Sequence, residues 1–341
     1  PRQQFNPNVN RSAEFSVLIV SLPQSGSAVF TFTKIADTST PVPDGVGNFT
    51  AFHLFPSISD GKVAFRASDS AGQEGIYLSS GGQLSAVADR NTPIPGGGNF
   101  ARFLGYPSIS GGNVAFIGGD SVGREGIYLY TGGKLSMAVD QDTSPPGGTG
   151  QFVFFFRFIS LSGKDVTFIG IDSTGQQGIY VATPEGLVVI ADTNSPIPGG
   201  VGNFLGFGNP WIDGEDVVFR GLGSTEQDGI YLHAGGEIFA IADRNDIIPS
   251  GVGAFTQLRD AVIDGETVGF VGRGTFLQEG VYVAINGQLS VVADRSTLIP
   301  SGVRPFLGFN EPTFDEGNIA FPNLDTRFPP QQQIWTLAKL P

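Results

Sequence analysis

One phrase recurs along this chain about every fifty residues, and that period limits what the chain can fold into. In its clearest copy, residues 106–140, it reads Tyr-Pro-Ser-Ile-Ser-Gly-Gly-Asn-Val-Ala-Phe-Ile-Gly-Gly-Asp-Ser-Val-Gly-Arg-Glu-Gly-Ile-Tyr-Leu-Tyr-Thr-Gly-Gly-Lys-Leu-Ser-Met-Ala-Val-Asp. The aromatic of its Gly-Ile-Tyr-Leu core falls at Tyr77, Tyr128, Tyr180, Tyr231 and Tyr282, with Trp335 in the last copy, at steps of 51, 52, 51, 51 and 53 residues. Short apolar runs separated by glycine-rich turns at this period predict propeller blades. The expected fold class is all-β, a six-bladed β-propeller of four-stranded blades.

Runs such as Val114-Ala115-Phe116-Ile117 and Ile127-Tyr128-Leu129 are rich in β-branched and aromatic residues, and no long helical period competes with them. Within one blade the pattern places strands at 107–110, 113–117, 126–130 and 134–139. The Gly111-Gly112 and Gly132-Gly133 pairs supply tight hairpin turns. The fourth segment of each blade ends in an apolar-Ala-Asp phrase or a close relative, as at Val87-Ala88-Asp89 and Ile190-Ala191-Asp192. The last copy lacks it, whereas Ile35-Ala36-Asp37 stands alone near the start. Residues 29–37 are therefore expected to close the ring as the sixth blade's fourth strand, which removes exposed sheet edges. The domain reading that follows is a tail with an extra strand at 1–28 and a propeller at 29–341.

A formal charge of −13 disfavours nucleic acid, whose binding depends on neutralising phosphates. No apolar run reaches the ~18 residues of a spanning helix. A chain that begins at Pro1 and carries no cysteine fits an exported protein without disulfides, so an extracellular or cell-surface location is expected.

Each repeated residue is one of six equivalents. Phe49, Phe100, Phe152, Phe204, Phe255 and Phe306 form one set, and Phe65, Phe116, Phe168, Phe219, Phe270 and Phe321 another. They read as core packing between blades, with an aromatic platform for sugars as the functional alternative. Asp37, Asp89, Asp140, Asp192, Asp243 and Asp294 are the most regular polar set. Glu74 is expected close to Asp89, and Glu125 close to Asp140. Such oxygen pairs are Ca²⁺ ligands in kind, the one cofactor considered, while an Asp followed by Thr or Ser closes an Asx-turn more economically. Ser59, Ser110, Ser162, Asp213, Asp264 and Asp315 precede the first tight turn and read as turn caps.

Only two histidines, His53 and His233, are present, and neither a zinc cluster nor a Ser-His-Asp triad has a basis. The expectation is that the protein is not an enzyme. Departures from the repeat mark a ligand patch instead: Trp211 in place of the small Ser108, Phe155 within the enlarged Phe154-Phe155-Phe156 loop, and Arg304 before Phe306. In the extra strand, Phe15, Val17, Leu18, Ile19 and Val20 present apolar side chains to both faces. Such a strand invites addition to another subunit, into closed rings or open filaments.

The Ala-Asp-x-Asn-Thr-Pro-Ile-Pro-Gly-Gly, Gly-Asn-Phe and Glu-Gly-Ile-Tyr-Leu phrases, spread from residue 35 to about 337, resemble those of exported bacterial tandem-repeat proteins. Many members of that group carry a C-terminal surface-sorting segment, which this sequence does not show before Pro341. The resemblance implies an extracellular propeller and supplies no catalytic residues. Three functions follow as expectations: a structural or assembly protein that forms homo-oligomers or filaments, a secreted carbohydrate-binding propeller with a glycan partner, and a glycan-active enzyme.

Overall fold

The structure is a computed structural model that describes residues 16–21, 31–224, 226–299, 305–315, 318–323 and 334–339. Two compact units divide it, residues 1–123 with 130–136 and residues 124–129 with 137–341. Every regular element among the described residues is a strand. Six antiparallel sheets follow one another along the chain, at 49–89, 102–140, 152–192, 204–243, 255–294 and 313–339. Within each, successive strands are hydrogen-bonded neighbours, the up-and-down pattern that glycine turns between short strands dictate. The chain is all-β, and these sheets are the blades of a six-bladed β-propeller.

In the second sheet the strands are Arg102–Ser110, Asn113–Gly119, Glu125–Thr131 and Lys134–Asp140, so the first begins five residues before the expected 107. Its early half runs alongside Ile117 to Gly119, after a bulge between Leu104 and Ser108 that the apolar pattern does not signal. In the first and fourth sheets this leading strand is split, Phe49–Phe52 with Ser57–Ser59 and Phe204–Phe207 with Trp211–Asp213. Both pieces pair with the same second strand. The sixth sheet holds three strands, Thr313–Asp315, Asn318–Asn323 and Ile334–Lys339.

At the N-terminus, β1 (Ser16–Ser21) and β2 (Thr31–Asp37) form a two-stranded antiparallel ribbon, from Ser16 opposite Asp37 to Ser21 opposite Thr31. Segment 29–37 was expected on the sixth sheet; the partner the structure gives β2 is β1. Closing a hairpin of this length costs far less chain entropy than pairing strands some 300 residues apart. Phe15, Val29 and Phe30 lie outside the described residues.

The core is aromatic and repeats with the sheets. Phe152 packs edge-on against Tyr180 at 5.0 Å and meets Phe155 and Phe168 at 5.3 and 5.8 Å. Phe204 repeats the arrangement with Phe207, Phe219 and Tyr231. Both six-membered phenylalanine sets are buried to 2 % exposure or less, so they are core. The glycine of Gly-Ile-Tyr is part of the same packing. A Cβ on Gly178 would stand 2.7 Å from the Tyr180 hydroxyl, and the equivalent contacts at Gly75, Gly126, Gly229 and Gly280 are 2.8 to 3.0 Å. The tyrosine ring lies over its own strand, and glycine gives it room.

Candidate functional site

The most elaborate polar feature sits at the first residue of each third strand, where Glu74, Glu125, Gln177, Asp228 and Glu279 are equivalent. These carboxylates are nearly inaccessible, and a buried charge must be paired. Arg66 places its terminal nitrogen 2.6 Å from Glu74 and Arg220 embraces Asp228 at 2.7 and 2.9 Å, each from its own second strand. Arg157 reaches Glu125 from the following sheet at 2.6 and 3.0 Å. Glu279, only 2 % exposed, gathers Arg259, Arg273 and Arg295 at 3.6, 2.9 and 2.9 Å. Asp228 also accepts from the Leu258 amide of the next sheet at 3.4 Å, and Glu74 from the Phe103 amide at 3.5 Å. The carboxylates thus tie consecutive sheets together.

Each carboxylate of the expected calcium pairs has its own partners. Glu74 faces Arg66, and His53 Nε2 lies 3.1 Å from it; burial and the Arg66 charge hold the His53 pKa below its ordinary value. Asp89 instead accepts from the Asn91 amide and the Thr92 hydroxyl, both at 2.9 Å. Asp140 does the same with Asp142 and Thr143 at 3.1 and 2.8 Å, and Glu125 belongs to Arg157. The regular aspartates close Asx-turns, as at Asp294, where burial pushes the pKa up but bonds from Ser296 and Thr297 bring it below the ordinary value. Among the described residues no group of three or more His, Cys, Asp or Glu gathers for a metal.

The residues before the first tight turn cap the following sheet's turn rather than their own. Ser59 Oγ accepts from Gly111 N at 3.0 Å, Ser162 Oγ from Gly214 N at 2.9 Å, and Asp213 Oδ2 from Gly265 N at 2.7 Å.

Of the expected ligand patch, Phe155 is fully buried, tilted against Phe152 and edge-on to Phe168, and is withdrawn: it is the core residue equivalent to Phe103 and Phe207. Arg304 lies outside the described residues. Trp211 is half-buried, 5.3 Å from Phe158. Beside it lies a polar set that the sequence reading missed. Two residues before the Trp211 position, the six copies carry Phe55, Tyr106, Phe158, Asn209, Asp260 and Glu311. Aromatics in the first three copies give way to polar groups in the last three, a switch visible only when the copies are compared column by column. Burial raises the Asp260 pKa above its ordinary value, with Asn209 and the Arg220 charge pulling the other way. Gly208 gives it room, since a Cβ there would overlap Asp260 Oδ1. Arg259 donates to the Phe309 carbonyl and Asn310 Oδ1 at 3.0 and 3.2 Å and lies 3.9 Å from Glu311.

Residues 24–337 match the family of unknown function DUF7453. The chain belongs to this family. No curated protein matches the sequence. Among solved structures, the acylaminoacyl peptidase of Pyrococcus horikoshii is similar at 14 % identity and a TM-score of 0.50, over 91 % of this chain and 45 % of the peptidase. The family member thus corresponds to under half of that enzyme, and the likeness concerns the fold alone. The β-propeller domain of the Trilobed protease from Pyrococcus furiosus aligns at 12 % identity and a TM-score of 0.40, over 85 % and 95 % of the two chains. The Aleuria aurantia lectin in complex with α-methyl-L-fucoside aligns at 10 % identity and a TM-score of 0.37, over 83 % and 92 %. No helix among the described residues is long and apolar enough to cross a membrane.

Proposed function

We propose that this protein is a non-enzymatic assembly subunit of the cell surface or extracellular space, whose copies join through β1. The observation that carries this reading is β1, whose partner among the described residues is β2. An isolated two-stranded ribbon is marginal in water, and β1–β2 is such a ribbon. Among the described residues the sixth sheet has three strands where the others have four or five, and β2 ends in the Ala-Asp phrase of a fourth strand. β1 is one edge of this ribbon. Its sequence, Ser-Val-Leu-Ile-Val-Ser, holds no charge, proline or glycine to blunt strand addition. A second copy's sheet edge supplies main-chain partners for it.

The non-enzymatic part rests on the carboxylates at repeated positions, which are engaged by arginines and turn amides. The surface location rests on the resemblance to exported tandem-repeat proteins. The test is light scattering on the full chain and on a variant lacking residues 1–22. The full chain should form high-mass species and the truncated chain a folded monomer; a monomer in both cases overturns the proposal.

A further inference from the structure

The geometry points to a binding site for a neutral saccharide on the leading strands of the third to sixth sheets, with Trp211 as its wall and Asn209, Asp260, Asn310 and Glu311 as its polar contacts.

Two departures from the repeat coincide there. Trp211 occupies a place held by Ser57, Ser108 and Ser160 in the first three copies. There, Ser57 and Ser160 accept from the next sheet's Ile109 and Ile212 amides, which a tryptophan does not. Two residues earlier, Asn209, Asp260 and Glu311 replace aromatics. Phe55 and Tyr106 are exposed at this column, whereas Asp260 is half-buried, so the exchange draws a carboxylate inward where the aromatics face solvent. Burial works against the Asp260 charge, so this position is held against a cost.

The groups also have capacity to spare. Trp211 and Phe158 are both half-buried, each keeping part of its ring in solvent. A carboxylate accepts about four hydrogen bonds, and half-buried Asp260 keeps part of its surface open to solvent. The Glu311 side chain is 52 % exposed. Asn310 accepts from Arg259 through Oδ1 and keeps its amide group as a donor.

Charge selects the ligand class. Within the strip named here, Asp260 and Glu311 are countered by Arg220 and Arg259. A balanced strip gives neither an organic cation nor an anion an advantage. An aromatic face with carboxylate and amide groups beside it suits a sugar ring, whose C–H face stacks while its hydroxyls donate and accept.

The test is a printed array of neutral and anionic glycans, with hits measured by calorimetry on the free oligosaccharide. Trp211→Ser, which restores the repeat's own residue, and Glu311→Ala, at an exposed position, should each weaken binding of neutral glycans roughly tenfold or more, Glu311→Ala with the melting temperature unchanged. Asp260→Asn keeps the size of the side chain and should also weaken it. No neutral glycan bound by the full chain, a preference for anionic ones, or binding that none of the three substitutions alters would overturn the inference.

Discussion

At Glu74 a carboxylate with 11 % of its side chain exposed is held against Arg66, and removing one partner strands the other. Arg66→Ala is expected to cost about 3 kcal/mol, the scale for breaking a buried pair. The third sheet shows the remedy, because Gln177 fills the same place as a neutral residue. Adding Glu74→Gln should therefore recover most of the loss in a denaturant-melt double-mutant cycle. The tyrosines set an alkaline limit. Burial, with Asp192 and Asp172 nearby, pushes Tyr180 up to about 12, and burial with neighbouring aspartates does the same for Tyr231 and Tyr282. A pKa higher in the folded than in the unfolded chain means that the folded form holds the proton more tightly. This contribution is complete below pH 10 and is lost as pH rises from 10 to 12. Thermal melts should fall steeply in that window, with phenolate absorbance at 295 nm appearing together with unfolding.

At the scale of the strand and turn, the repeated glycines and aspartates have separable roles. Gly178→Ala pushes a methyl group against the Tyr180 ring and should cost about 1–3 kcal/mol, the scale of core overpacking. Asp89→Ala removes two turn bonds and should cost about 1 kcal/mol. EDTA should leave the melting temperature unchanged; a large calcium-dependent rise would return Asp89, Glu74, Asp140 and Glu125 to a metal role. The phenylalanine sets and the Asx-turns were legible in the sequence because one residue type recurs at one place in every copy. The arginines were not, since Arg66 and Arg220 stand on second strands whereas Arg157 and Arg259 stand on leading strands. A buried charge requires a partner but does not fix where on the chain it comes from. Asn209, Asp260 and Glu311 escaped for a related reason, as three different residue types at one column form no motif. The bulge that lets Arg102–Ser110 begin early is a backbone event with no apolar period of its own.

For the whole molecule, the period near 51 residues specified the sheets, but it does not reach the two ends of the chain, where local and distant pairing compete. There, among the described residues, β1 and β2 form a two-stranded ribbon and the sixth sheet holds three strands. Hydrogen exchange followed by mass spectrometry over a dilution series tests the assembly account most directly. If β2 pairs with β1 in each copy and β1 pairs with a second copy, residues 31–37 keep their protection at every protein concentration. Residues 16–21 gain protection as concentration rises and lose it on dilution. Residues 16–21 that exchange as free amides at every concentration, or that stay equally protected in a monomer, would contradict the account.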